Sequence, residues 1–167
     1  NVMHLLESAR TRFECIAVVH EVSAGIAAEY FNVAHRSDGK RAFALVTAGP
    51  GITNMATAIG GAWLESRELL IVGGQARTEF ISNPEVRQIG HQQIDGRSIV
   101  EPMSKLSVTI TEPISRNELK SVTDISKTGR KGPVFLEICL DVTAMEVDEE
   151  SLNKIPSSAS LVAEEII

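Results

Sequence analysis

Aromatic side chains are scarce, at 4% of the chain, with a single Trp and a single Tyr. Interior volume therefore has to come from Ala, Val, Ile and Leu, which suits thin strands buried between helices better than an aromatic-rich sandwich. Cysteine occurs only twice, at Cys15 and Cys139, far apart and outside any CxxC or Cys/His cluster. The expectation is two reduced, buried thiols in a cytoplasmic protein, with neither a disulfide framework nor a cysteine metal site. Long apolar runs are missing: none reaches the roughly 20 residues that span a bilayer, and the first residues lack the basic-then-apolar order of a signal peptide. Excess positive charge is missing too. Lys and Arg number 16 against 22 Asp and Glu, a net charge of -6, and the basic residues are scattered, which argues against a nucleic-acid surface.

What remains is ordinary globular material: 167 residues, 43% hydrophobic and 23% charged, enough for one domain and a tail. The domain is read over residues 1–143. Residues 144–167, acidic and Ser-rich with Pro156, read as a linker towards a following domain.

Four short apolar runs fit strands buried on both faces: Cys15-Ile16-Ala17-Val18-Val19, Ala42-Phe43-Ala44-Leu45-Val46, Leu69-Leu70-Ile71-Val72 and Val134-Phe135-Leu136-Glu137-Ile138. Ser107-Val108-Thr109-Ile110 is a weaker fifth. Between them, Val22 to His35 and Ile52 to Glu65 carry closely spaced Ala and Gly and read as crossover helices, with flanking helices over Met3 to Arg12 and Ile114 to Lys127. This alternation predicts an α/β fold of three layers, α/β/α, around a mostly parallel, doubly wound sheet, with the chemistry beyond the carboxyl ends of the strands.

The first such end is Val18-Val19-His20-Glu21, where an apolar run stops at two ionisable residues and a helix begins. Glu21 fits a capping acid near a helix N-terminus as well as a group facing a cleft. The second is Thr47-Ala48-Gly49-Pro50-Gly51-Ile52-Thr53-Asn54. Two glycines let a ligand approach the backbone, and Pro50 fixes a turn that opens a helix. It matches neither a GxGxxG fingerprint nor a GK[ST] phosphate loop. The third end is Gly73-Gly74-Gln75, where Gln75 either supports the cleft or packs the strand. A long irregular stretch follows, Ala76 to Gly96, containing Gly90-His91-Gln92-Gln93-Ile94-Asp95. No partners at ligand spacing surround His91, so no metal site is expected. Trp63 lies on the apolar side of its helix and reads as core.

In this order and spacing, His20-Glu21 with Ala27-Ala28-Glu29, Thr47 to Asn54, Gly73-Gly74-Gln75, Gln92 to Asp95 and Gly129-Arg130-Lys131-Gly132-Pro133-Val134 resemble the amino-terminal pyrimidine-binding (PYR) domain of acetolactate synthase-like thiamine diphosphate enzymes. The resemblance covers about residues 1–142. It implies that Glu21 hydrogen-bonds N1′ of the cofactor pyrimidine and so helps remove the thiazolium C2 proton, in a lyase or carboligase acting on a 2-oxo acid or related carbonyl. A carboxylate enclosed at an apolar strand end is expected to have a raised pKa. The resemblance also implies that Thr47, Gly49, Pro50, Gly51 and Asn54 line the aminopyrimidine pocket, with Gln92 facing cofactor or substrate and His91 and Gln93 on the substrate side.

Three residues depart from the family pattern: Ala48 where Ser is frequent, His91 where acetolactate synthases usually carry Phe, and Gln93 in place of Glu. Ala48 is a mild change, whereas His91 and Gln93 alter polarity and charge near the substrate side and point to a substrate pair other than the standard one. The family holds the diphosphate and its Mg²⁺ in a pyrophosphate-binding domain marked by a GDG segment, which this chain lacks. The family's first strand and its preceding helix have no counterpart ahead of Asn1. The isolated chain is therefore expected to bind the cofactor weakly at most, and the active site to form against a pyrophosphate domain of the same or another subunit, in a homodimer or tetramer. Whether FAD takes part is left open. The alternatives are a non-catalytic or split-subunit partner with the same fold, and a generic nucleotide-binding module.

Overall fold

A computed structural model describes residues 2–81, 86–148 and 150. Most of the expected linker over 144–167 lies outside the described residues.

Among the described residues, four strands form one wholly parallel sheet: β1 (Ala44–Val46), β2 (Leu69–Gln75), β3 (Leu106–Ile110) and β4 (Pro133–Cys139), in the spatial order β1-β2-β4-β3. Six α-helices accompany them among the described residues: α1 (Met3–Arg10), α2 (Glu21–Ala34), α3 (Pro50–Leu64), α4 (Gly96–Val100), α5 (Arg116–Ile125) and α6 (Leu140–Thr143). The weaker run at 107–110 proves to be a full strand, and α2 and α3 start within two residues of their expected positions.

Strand alternation sorts the core into two layers. Ile71 and Phe135 point to one face, where they meet Val46, Ile52, Met55, Ile59 and Val100 beneath α2, α3 and α4. Leu136, Val134, Leu106 and Ile110 belong to the other face, closed by Val122 of α5. This is the doubly wound, three-layer arrangement that the alternation of strands and helices predicts.

The run Cys15 to Val19 corrects an expectation. Residues 14–18 carry no regular structure, and Ile16 and Val19 are 80% and 104% exposed. A strand exists only by pairing, and β1 ends the sheet, with no ladder partner on its outer edge among the described residues. Just before this segment, Phe13 packs edge-to-face on Phe43 at 5.6 Å. Cys15 is accordingly exposed, against expectation, whereas Cys139 is buried within β4 and its thiol is pushed up to about 12 by desolvation. Both are free. Trp63 is half-buried, since it lies near the end of α3.

Candidate functional site

The carboxyl ends of β1 and β2 and the N-terminal ends of α2 and α3 lie on one side of the sheet, and the glycines decide how closely they approach. Gly49 has φ +66°, a region that disfavours L side chains, and it hands the chain from β1 to Pro50 at the start of α3. A Cβ on Gly49 would lie 2.8 Å from the Gln92 carbonyl oxygen and 3.0 Å from the Gln92 Cβ. The corner and the 90–95 turn are therefore in direct backbone contact. Gln92 itself has φ +58°, an uncommon state for a residue with a side chain.

Glu21 opens α2. His20 caps the helix, its Nδ1 accepting from the Val22 amide at 3.3 Å. One turn on, Gly25 lets α2 settle on α3: a Cβ there would lie 2.4 Å from the Ala58 Cβ and 2.6 Å from the Met55 sulfur. Asn54 stands one turn before Ala58, as Glu21 stands one turn before Gly25, so the same close approach brings those two side chains together. Asn54 donates through Nδ2 to Glu21 Oε2 at 2.9 Å.

That hydrogen bond is the largest influence on the Glu21 carboxyl and holds it below the usual carboxylate range. The residue's own backbone N–H acts in the same direction and outweighs burial. The expected upward shift is thus corrected for this chain: Glu21 is half-exposed, and desolvation is too slight to oppose a charge-assisted hydrogen bond.

Of the other expected site residues, Thr47 and Asn54 are half-buried, Gly49 and Gly51 are buried and Pro50 is exposed. His91 is exposed at the tip of its turn. Gln93 turns inward, its Oε1 accepting from the amides of Ile89 at 3.0 Å and Gly90 at 2.8 Å. Among the described residues, no group of three or more His, Cys, Asp or Glu is placed to hold a metal ion, and no helix is long and apolar enough to cross a membrane.

Glu137 went unnoticed as a functional candidate because it sits inside an apolar strand run. Its side chain is buried on the α3/α4 face. Oε1 accepts from the Thr109 hydroxyl at 2.5 Å and Oε2 from Gln75 Nε2 at 3.2 Å. Burial nevertheless pushes this carboxyl above its usual range, with the Asp95 charge adding to the effect. The signal available in the sequence was a lone acid in an otherwise apolar strand, which demands partners wherever it is buried.

Residues 1–99 match the family model described as thiamine pyrophosphate enzyme, N-terminal TPP binding domain. This chain belongs to that family. It is a PYR domain of the acetolactate synthase-like thiamine diphosphate (thiamine pyrophosphate) enzymes. It is 32% identical over 143 residues to a probable acetolactate synthase large subunit of Methanocaldococcus jannaschii, a match covering 85% of the chain and 23% of that protein. Identity to the acetolactate synthase isozyme 1 large subunit of Escherichia coli is 29% over 163 residues, covering 96% of the chain and 28% of the relative. To the acetolactate synthase large subunit of Lactococcus lactis it is 34% over 117 residues, covering 68% and 19%. The PYR domain thus spans less than a third of the length of these curated relatives.

Proposed function

We propose that this PYR domain supplies the pyrimidine side of a thiamine diphosphate site in a larger lyase or carboligase acting on a 2-oxo acid or a related carbonyl compound, with Glu21 relaying the activating proton. The observation that carries the reading is the Glu21 to Asn54 hydrogen bond, which holds a carboxylate beside the first turns of α3, the helix that grows out of the Gly49-Pro50-Gly51 corner.

The residues present fit the group. A carboxylate at Glu21, an amide at Asn54 and the backbone of the Gly49-Pro50-Gly51 corner at the start of α3 are the hydrogen-bonding groups that an aminopyrimidine ring requires. Thr47, Gly49, Pro50, Gly51 and Asn54 would line the aminopyrimidine, with Gln92 at its edge and His91 and Gln93 towards the substrate. When bound, thiamine diphosphate supplies a nucleophilic thiazolium carbon and an electron sink for C–C bond cleavage. Glu21 holds or moves a proton at its carboxylate oxygens. Exchanging the Asn54 contact for a ring nitrogen in an enclosed site would remove the largest influence that now lowers the carboxyl and add desolvation, and so bring its proton affinity nearer the working pH.

Mg²⁺ and the diphosphate fall to a pyrophosphate-binding domain of the same or another subunit, in a dimer or tetramer. The exposed Ile26 and Tyr30 of α2 and Leu64 of α3 support a protein contact on this side.

The test is Glu21→Gln in the complete enzyme, read as exchange of the cofactor C2 proton by NMR. The expected loss is about 100-fold or more with the fold intact. Near-normal exchange would leave the second reading, a non-catalytic partner domain, which the acidic, already satisfied state of Glu21 favours.

A further inference from the structure

On the α3/α4 face of the sheet, the side chains change character towards the carboxyl end. Ile71 and Phe135 are lateral neighbours and belong to the apolar core. Two residues on, Gly73, Glu137 and Thr109 stand side by side across β2, β4 and β3, and Gln75 follows at the end of β2. An apolar core needs none of these polar groups. Each is buried or half-buried, and each has a partner.

The partners lead in one direction. Gln75 Nε2 donates to the Ile94 carbonyl at 2.8 Å, while Gln75 Oε1 accepts from the Ala76 amide at 2.7 Å. Glu137 accepts from Gln75 and lies with its Oε2 close against Gly96, so the two side chains hold the segment on either side of Asp95. Gly96 permits the contact: a Cβ there would lie 2.7 Å from Glu137 Oε2 and 3.0 Å from two carbons of Ile52. Two residues before Ile94 is Gln92, whose backbone lies against Gly49. A continuous set of contacts thus runs from the middle of β4 through Gln75 to the turn that abuts the corner.

We propose that Gln75 and Glu137 are positioning residues: Gln75, hydrogen-bonded to the Ile94 carbonyl and held in turn by Glu137 beside Gly96, sets Gln92 and its turn against the Gly49-Pro50-Gly51 corner. The proposal rests on the reading of that corner as the pyrimidine site. A cofactor-facing loop needs support from side chains whose own rotamers are fixed, and groups hydrogen-bonded within the sheet meet that requirement. Burial favours the uncharged carboxyl of Glu137, and in that form one oxygen donates to the Thr109 hydroxyl while the other still accepts from Gln75. Glu137→Gln reproduces this pattern, with the amide NH₂ facing Thr109. Glu137→Leu and Gln75→Leu abolish it.

The experiment is amide hydrogen exchange of the full chain without cofactor, comparing residues 89–97 with the sheet amides of Leu70 and Leu136. In Gln75→Leu and Glu137→Leu, exchange over 89–97 should rise about tenfold or more while the sheet amides change much less, and Glu137→Gln should retain native protection. In the complete enzyme, Gln75→Leu should raise the thiamine diphosphate concentration for half-saturation more than it lowers kcat. Unchanged exchange over 89–97 in both leucine variants, an equal loss of protection across the sheet, failure of Glu137→Gln to rescue, or unaltered half-saturation would each overturn the proposal. Glu21 is intact in every variant and exchange is read without cofactor. A negative result here therefore leaves the Glu21 reading standing, and a failed Glu21 test leaves the loop measurement intact.

Discussion

Gly49 and Gln92 meet backbone to backbone, so closely that a single methyl group on Gly49 would come within 2.8 Å of the Gln92 carbonyl oxygen. Gly49→Ala therefore combines two penalties, a positive-φ backbone and a steric conflict with a turn anchored from the sheet. That positive-φ state, with ψ -116°, alone costs about 1–3 kcal/mol for an L residue. Urea denaturation should show a loss of at least that size, and a change within about 0.5 kcal/mol, the range of ordinary surface substitutions, would mean that the turn moves freely.

Removing the Asn54 amide should release the Glu21 carboxyl upwards, towards its ordinary range. In Asn54→Leu, a pH titration followed by carboxyl carbon NMR should find Glu21 protonating at higher pH than in the native chain. The sign for stability follows. A depressed folded-state pKa contributes stability that is present above the unfolded value and lost as pH falls through the folded one, so the variant should differ from native most at neutral pH and least in acid.

Contact between α2 and α3 depends on Gly25. A Cβ at this position would lie 2.4 Å from the Ala58 Cβ, and Gly25→Ala forces the helices apart at a cost of about 1–3 kcal/mol. The melting temperature should fall, and Glu21 should titrate as it does in Asn54→Leu, because separating the helices breaks the same hydrogen bond. A lowered melting temperature with unaltered Glu21 titration would show that the pairing of the two side chains does not depend on helix approach.

Glu137 should make the chain lose stability as pH rises above the ordinary carboxylate range. Its folded-state pKa is raised, so the folded protein holds the proton more tightly than the unfolded chain, and stability declines as pH rises from the ordinary carboxylate value through the raised one. The groups that face it are the Thr109 hydroxyl from β3, the Gln75 amide from β2, the Arg97 amide from α4 and the Asp95 charge at the α4 cap. The Arg97 side chain is turned to Glu101 instead. Glu137→Gln, which has no proton to lose, should match the native chain in mild acid and exceed it increasingly above that range, as read by thermal unfolding at stepped pH. Parallel curves would mean that the carboxyl titrates normally.

Much of the fold was legible because its signals are local. Runs such as Leu69 to Val72 and Val134 to Ile138 are too apolar and too short for surface helices, and the Gly49-Pro50-Gly51 corner announces a strand-to-helix turn by backbone chemistry alone. The segment Cys15 to Val19 has the same composition but remains unpaired, because a strand is a relation between two segments and composition describes only one of them. Glu137 carried the opposite difficulty. Within an apolar run one acid looks incidental, and only the register that sets it beside Thr109 and Gly73 makes it the centre of a polar network.

Residue order by itself determined the alternation of strands and helices, the place of the turns and the family to which the chain belongs, since each depends on side chains within a few positions of one another. Three-dimensional packing alone decided that Asn54 keeps Glu21 acidic, that the oxygen of Gln93 holds its own turn, and that Gln75 and Glu137 reach the 94–97 backbone. Those are contacts between residues up to dozens of positions apart, where tenths of an ångström at a glycine govern whether two groups touch, and no pattern along a chain encodes such distances.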